Sequence, residues 1–237
     1  MTDPALAEAF EATWPAAEYA DAGGFRIGRA QGAGRRVNSA CAVRSWSPAD
    51  IDDVLRIQSD WRQAAAFRVL DDETRLIAAL TDRGFQRATP TVVMQADVSA
   101  LTDRRIPPVM AFAVWPPLAI QRDIWVAGEI GPERQAVMQR VAVPKAALLG
   151  RIEDRAAGAG FVAIHSGVAM VHGIEILPDW RRKGLAGWMM RRAAVWAREN
   201  GARRLALAVT RANAPAIALY RGLGFSDAGG YTYFVKP

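Results

Sequence analysis

Cysteine is nearly missing from this chain. Cys41 is the only one among 237 residues, so no disulfide can close within the chain, and no metal cluster can be built on several thiolates. A reducing compartment, the cytoplasm, is the expected setting, and no metal is expected in the site. Long hydrophobic runs are also missing: the longest, Val109 to Ile120, is interrupted by Pro116-Pro117 and is too short to span a bilayer. The opening residues, Met1-Thr2-Asp3-Pro4 followed by alanine and glutamate, lack the basic start and apolar stretch of a secretory leader. No membrane role is expected. Basic runs are short as well. Lys and Arg number 30 against 24 Asp and Glu, a net charge of +6, but the arginines are scattered among acidic residues and form nothing longer than Arg181-Arg182-Lys183. A nucleic-acid partner is therefore not expected; a few cations at one turn suit a small anionic cofactor equally well.

With 51% hydrophobic and 23% charged residues, the chain has the usage of an ordinary globular protein. Its length allows one large domain or two small ones. In the first hundred residues, Gly23-Gly24 leads into an alternating segment, Phe25 to Arg29, and Arg36 to Arg44 reads as a second strand of a hairpin. Ser47-Pro48 then caps a helix with apolar positions at Ile51, Val54 and Leu55. Asp71 to Arg83 repeats the helical pattern and stops at Gly84, and Thr91 to Ala96 is strand-like. The polar stretch Thr102 to Pro108 marks a domain boundary near residue 105.

Beyond it, a strand over 109–116, short helices over 123–129 and 132–140, and strands over 143–152 and 160–165 are expected. The tight turn Ser166-Gly167 should pair the segments on either side as antiparallel neighbours. A helix over 185–200, a strand over 205–210, a helix over 214–222 and a strand over 231–235 follow. Alternating strands and helices indicate an α/β or α+β sheet with helices packed on it. There is an internal echo: Leu80 to Phe85 and Leu219 to Phe225 each run helix, Gly-Phe, strand.

Two segments carry chemistry. In Ile174 to Met189 a strand ends, three cationic side chains follow, and Gly184 opens a long helix. The first-turn N–H groups of a helix have no intrahelical partners and add to its dipole, so this turn is an anion site. Alone, Arg181-x-x-Gly184-x-Ala186 is more often a plain helix start. The second segment is Asn213-Ala-Pro-Ala216-Ile-Ala-Leu219-Tyr220, closing with Gly224-Phe225. Asn213 is a natural N-cap, Pro215 sits where a missing N–H costs nothing, and residues 213, 216 and 220 share one helix face.

Together the two segments resemble the GNAT superfamily of acetyl-CoA-dependent N-acetyltransferases, over about residues 109 to 237. The family's Arg/Gln-x-x-Gly-x-Gly/Ala turn appears as Arg181, Gly184 and Ala186, and its Asn-x-x-Ala-x-x-Leu-Tyr-x-x-x-Gly-Phe segment as Asn213, Ala216, Leu219, Tyr220, Gly224 and Phe225. The resemblance implies a mixed, mostly antiparallel sheet flanked by helices, in two related halves: a degenerate GNAT-like unit over 1–105 without a cofactor motif, and a catalytic unit over 106–237. Some members of the superfamily carry such tandem units.

It further implies acetyl-CoA as cofactor, with the pyrophosphate on Arg181, Arg182, Lys183, Gly184, Leu185, Ala186 and Gly187. The pantetheine arm would lie along Ile174, Glu175 and Ile176 and against Asn213, Ala216 and Tyr220. Tyr220 is the implied general acid for the departing thiolate. The family's commonest base position falls near Met170, which accepts no proton. His172 shares Met170's face by strand alternation, whereas Glu175 points to the other unless a bulge intervenes; a water chain or a residue of the first half remains open. The implied activity is direct transfer of acetyl to a primary amine of a small molecule. A non-catalytic acyl-CoA-binding regulator and a protein lysine or N-terminal acetyltransferase are the alternatives. Trp14, Trp46 and Trp61 are candidates to line the acceptor cleft, though tryptophans are mostly core residues. A homodimer is compatible with the sequence, which leaves the oligomeric state open.

Overall fold

The computed structural model describes residues 3–30 and 32–236; Met1 and Thr2, read above with the start of the chain, lie outside them. The first half runs α1 (Pro4–Ala12), β1 (Glu18–Ala22), β2 (Phe25–Arg29), β3 (Ala40–Ala42), α2 (Pro48–Asp60), β4 (Ala66–Leu70), α3 (Thr74–Asp82), β5 (Gln86–Asp97) and α4 (Val98–Leu101). The second runs β6 (Ala111–Val114), α5 (Ala119–Ala127), α6 (Pro132–Arg140), β7 (Lys145–Ile152), β8 (Arg155–His165), β9 (Val168–Ile176), α7 (Leu185–Glu199), β10 (Arg204–Thr210), α8 (Ala214–Gly222) and β11 (Ser226–Val235).

Among the described residues, all strands join one 11-stranded sheet in the order β1-β2-β3-β4-β11-β5-β10-β9-β8-β7-β6. It is mixed and largely antiparallel, with parallel pairing only at β3/β4 and β9/β10. Both parallel pairs need a crossover, and a helix supplies each: α2 between β3 and β4, α7 between β9 and β10. Each crossover unit is followed by a helix, a glycine in the left-handed region (Gly84 at φ 79°, Gly224 at φ 88°), a phenylalanine and a long strand. The repeated helix, Gly-Phe, strand pattern therefore marks equivalent places in the two halves. The long strands are exchanged: β11 lies between β4 and β5, and β5 lies between β11 and β10. The expected boundary near residue 105 falls between α4 and β6, and the sheet runs on across both halves.

Helices cover both faces. On one, α7 buries Leu185, Met189, Met190, Ala193, Ala194 and Ala197 against β5 and β7 to β10, while α2 and α3 cover the first half around Phe25, Phe67 and Phe234. On the other, α1 sets Leu6, Ala9 and Phe10 against Val168, Met170, Ala206, Tyr231 and Tyr233, and α5 and α6 pack with Trp14 and Phe161. Each of the larger fully buried side chains contributes roughly 1.5–3 kcal/mol by leaving water.

The expected single strand over 36–44 is instead a 3-10 turn at Arg35–Val37 followed by the short β3, because Gly34 enters at φ 89° and turns the chain before it can extend. The sequence reading passed over α1, β1 and β4. The turn at Ser166-Gly167, with both φ angles positive, does pair β8 with β9 antiparallel.

Candidate active site

The site begins where two parallel strands part. β9 and β10 pair from Val168/Arg204 to Val171/Leu207 and no further, so from residue 172 onward the edge of β9 has no strand beside it. A cleft of about 520 Å³ occupies this gap. On one face of the sheet it is lined by Ile174, Leu207, Val209, Asn213 and Tyr220; on the other by Trp14, Ile130, His172, Tyr231 and Tyr233. It passes through the sheet, so a molecule entering over α8 can meet another entering past Trp14. An open strand edge offers backbone donors and acceptors to an extended ligand, as an added strand would.

The shape of β9 is set by Gly173. It sits at φ 55°, and the register with β8 slips there, Phe161 facing His172 but Ala159 facing Glu175. This is a β-bulge: the extra residue rotates everything after it by one position. Glu175 consequently shares the face of Met170 and His172, with its Cγ where a Cβ on Gly128 of the α5 terminus would need to stand, 2.4 Å away. The Gly173 carbonyl accepts from Trp125 Nε1 at 2.9 Å, which fixes the bulge.

His172 is buried and both ring nitrogens are engaged. Arg36 Nη1, which can only donate, lies 3.1 Å from Nδ1, and Nε2 lies 2.9 Å from Thr13 Oγ1, which itself donates to the Ala9 carbonyl at 2.6 Å. This chain makes Nδ1 the acceptor and Nε2–H the donor. Burial, then the neighbouring Arg36 cation, holds its pKa well below the usual imidazole value. The ring is neutral and its lone pair is taken. Trp14 and Phe161 enclose it, with centroids at 5.0 and 6.1 Å.

Tyr220 is nearly enclosed at the end of α8, its ring 5.8 Å from that of Phe225. Its hydroxyl has no hydrogen-bond partner among the described residues, and burial pushes its pKa up to about 12. Asn213 caps α8, its Oδ1 accepting from the Ala216 N–H at 3.2 Å, with Pro215 in the first turn as its fixed φ favours.

The turn before α7 stands at the surface. Gly184 is its N-cap at φ 81°, with nothing within 4 Å of where a Cβ would project. Among the described residues, no acceptor meets the N–H groups of residues 182–187. A helix start with open space and uncommitted donors fits a phosphate group. Of the basic triplet, Arg181 turns back: its Nε donates to the Ile176 carbonyl at 2.9 Å and its Nη2 to Glu175 at 3.0 Å. Lys183 lies 4.4 Å from the Trp180 ring and 3.7 Å from Glu153, and Arg182 is exposed.

The corresponding place in the first half is closed. Ser47 begins α2, and Asp50 in its first turn accepts from the Ser47 hydroxyl at 2.8 Å, from the Ser47 N–H at 3.1 Å and from the Gly24 N–H at 2.9 Å. The helix start that could take an anion already has one of its own. The Gly24 N–H, then the Ser47 hydroxyl, hold the Asp50 carboxyl below its ordinary pKa.

The cleft thus brings together Ile174, His172, Asn213 and Tyr220. Glu175, Ile176, Ala216 and residues 181–187 lie outside its lining. Trp14 lines it, whereas Trp46 packs on Phe25 and Trp61 lies under Arg29. Sequence reasoning missed Arg36, Arg134, Tyr231 and Tyr233, which come from distant segments with no local signature.

Residues 121–225 match the family described as Acetyltransferase (GNAT) family. Over these residues the chain is similar to GNAT-family acetyltransferase domains. The chain is similar in sequence to the streptothricin acetyltransferase of Streptomyces lavendulae, at 44% identity over 75 residues, 30% of this chain and 40% of that protein. It is similar also to an aminoglycoside N(6')-acetyltransferase type 1 of Acinetobacter haemolyticus, at 35% over 71 residues, 30% of this chain and 49% of that one. These matches span less than half the length of either relative. The GNAT fold extends further. A GCN5-related N-acetyltransferase from Kribbella flavida superposes over 98% of this chain and 93% of its own at a TM-score of 0.74 and 19% identity. A tandem GNAT protein from the clavulanic acid biosynthesis pathway superposes over 89% and 77% at 0.65 and 15%.

Proposed function

We propose that the protein transfers acetyl from acetyl-CoA to a primary amine of a small molecule within a ternary complex. The observation that carries this reading is the through-sheet cleft with the uncommitted hydroxyl of Tyr220 on one side and an open, donor-rich helix start at the end of the same strand. Acetyl-CoA supplies an acetyl group activated as a thioester. The N–H groups of residues 182–187 bind its pyrophosphate, with Gly184 allowing close approach and Arg182 and Lys183 adding charge. Ile174, Glu175 and Ile176 align the pantetheine arm along the open edge of β9, against Asn213, Ala216 and Tyr220. A β9 N–H polarises the thioester carbonyl.

The amine reaches the acetyl carbon from the Trp14 side. As the new C–N bond forms and the C–S bond gives way, Tyr220 donates a hydrogen bond to the departing sulfur. The proton shed by the amine passes to Glu175, which the bulge turns to the acceptor face, through water at the Gly128 margin. His172, neutral with its lone pair occupied, positions Arg36 instead of accepting that proton. Cys41 has no part, so no acyl-enzyme forms. The first half, with its own helix start closed by Asp50, is a duplicated unit without a cofactor site that supplies one wall of the acceptor side.

A thiol-release assay with acetyl-CoA and a panel of amines tests the reading. Release that depends on the amine supports it; tight CoA binding without release for any amine favours a non-catalytic acyl-CoA-binding protein, and acetylation of peptides alone favours a protein acetyltransferase.

A further inference from the structure

The acceptor side of the cleft carries charge of one sign. Arg35, Arg36 and Arg134 line it, and among the described residues no Asp or Glu does. The nearby carboxylates lie outside this lining: Glu175, which the proposed mechanism reaches only through water, pairs with Arg181, and Glu11 pairs with Arg68, while Glu133 lies against Gly32. The three lining arginines take no part in an ion pair among the described residues, unlike Arg181 and Arg68.

Arg36 is held by neutral groups alone. Nη1 donates to His172 and Nη2 to the Phe10 carbonyl at 2.7 Å, the guanidinium lies 3.8 Å from the Phe10 ring centroid, and Nε is shielded from solvent without a partner. Arg134, in the first turn of α6, is half-buried and makes no side-chain hydrogen bond among the described residues. Burial pushes both guanidinium groups down from their ordinary value. Cations withdrawn from water are normally paired, and a planar guanidinium matches a carboxylate through two parallel hydrogen bonds.

We propose that these arginines form a carboxylate-binding subsite, so that the acceptor is a primary amine bearing a carboxylate, of the kind a free amino acid presents. Trp14, Ile130 and Tyr231 line the same side and suit an apolar body between the two polar groups. An acceptor with several ammonium groups and no carboxylate meets this lining with like charge. The subsite rests on the acetyl-transfer reading above, and its test separates the two.

Calorimetry on CoA-saturated protein compares N-acetyl amino acids with their neutral amides, and the thiol-release assay compares free amino acids with amino-acid amides. The carboxylate forms are expected to bind and react about ten- to hundred-fold better, the range of a charge-assisted pair. Arg134→Gln, which breaks no side-chain hydrogen bond or ion pair among the described residues, is expected to remove about ten-fold of that preference with an unchanged thermal midpoint. Arg36→Gln is expected to remove more of it. Amides that bind and react as well, carboxylates that do not bind, or a preference untouched by Arg134→Gln each overturn the subsite. Carboxylate-selective binding without turnover keeps the subsite and removes acetyl transfer; turnover without selectivity does the reverse.

Discussion

Replacing Tyr220 by phenylalanine isolates one hydroxyl. The ring remains against Phe225 at the same 5.8 Å, and the hydroxyl has no protein partner to leave behind, so the thermal midpoint should move by no more than about 2 °C. The catalytic loss follows from acidity. A phenol held at about 12, facing a thiol with a pKa of about 8.5, would transfer its proton uphill by roughly 5 kcal/mol at about 1.4 kcal/mol per unit. Complete proton transfer is therefore not its main contribution; a hydrogen bond to sulfur as it gains charge is. Such bonds contribute about 1.5–3 kcal/mol, which puts the fall in turnover at roughly ten- to 150-fold, with little change in CoA affinity. Steady-state thiol release at saturating acceptor, beside calorimetry of CoA, reads both quantities. The raised pKa also means that the phenol stays protonated well above pH 10, so wild-type turnover should show no alkaline limb there. Turnover within two-fold of wild type, or a limb near pH 10 that the substitution abolishes, would refute this reasoning.

Gly184→Ala meets no neighbour but must hold an alanine at φ 81°; it should cost about 1–2 kcal/mol in urea denaturation and weaken CoA binding in calorimetry by more than that. His172 is neutral in the fold and free to protonate once unfolded. Its contribution to stability is therefore present above about pH 6.5 and lost as pH falls below it, at up to about 1.4 kcal/mol per pH unit until its depressed pKa is reached; denaturation between pH 7 and 5 measures the slope, and His172→Asn should flatten it. With Asp50 closing the helix start of the first half, calorimetry should find a single CoA site per chain, and two sites would show that this closure is not what the hydrogen bonds indicate.

The parts of this molecule most legible in its sequence are those in which the proposed site and the local structure use the same residues. Gly184 both starts α7 and belongs to the proposed anion site, and Asn213 both caps α8 and leads to Tyr220, so a few adjacent residues carried the structural signal and the proposed functional one. Gly173 carried a weaker one, since a lone glycine in a strand pattern marks a bulge; whether Glu175 faced the acceptor depended on it. Nothing local marks β4: Ala66 to Leu70 includes a buried arginine, Arg68, whose partner Glu11 belongs to the distant helix α1. The charge of the acceptor side was equally hidden. Arg36 and His172 are distant in sequence and meet only because α1 and the turn after Gly34 fold over β9, and an unpaired cation is recognised only once every possible partner has been placed.

The exchange of β5 and β11 also fixes an order of events during synthesis. The edge of β4 can be paired by β11 only after residues 226–235 have been made, so until then the sheet of the first half presents that edge open. An open edge is a hazard for pairing with another chain. It is β11 that seals it, and the part of the cleft wall formed by Tyr231 and Tyr233 comes into being in the same step.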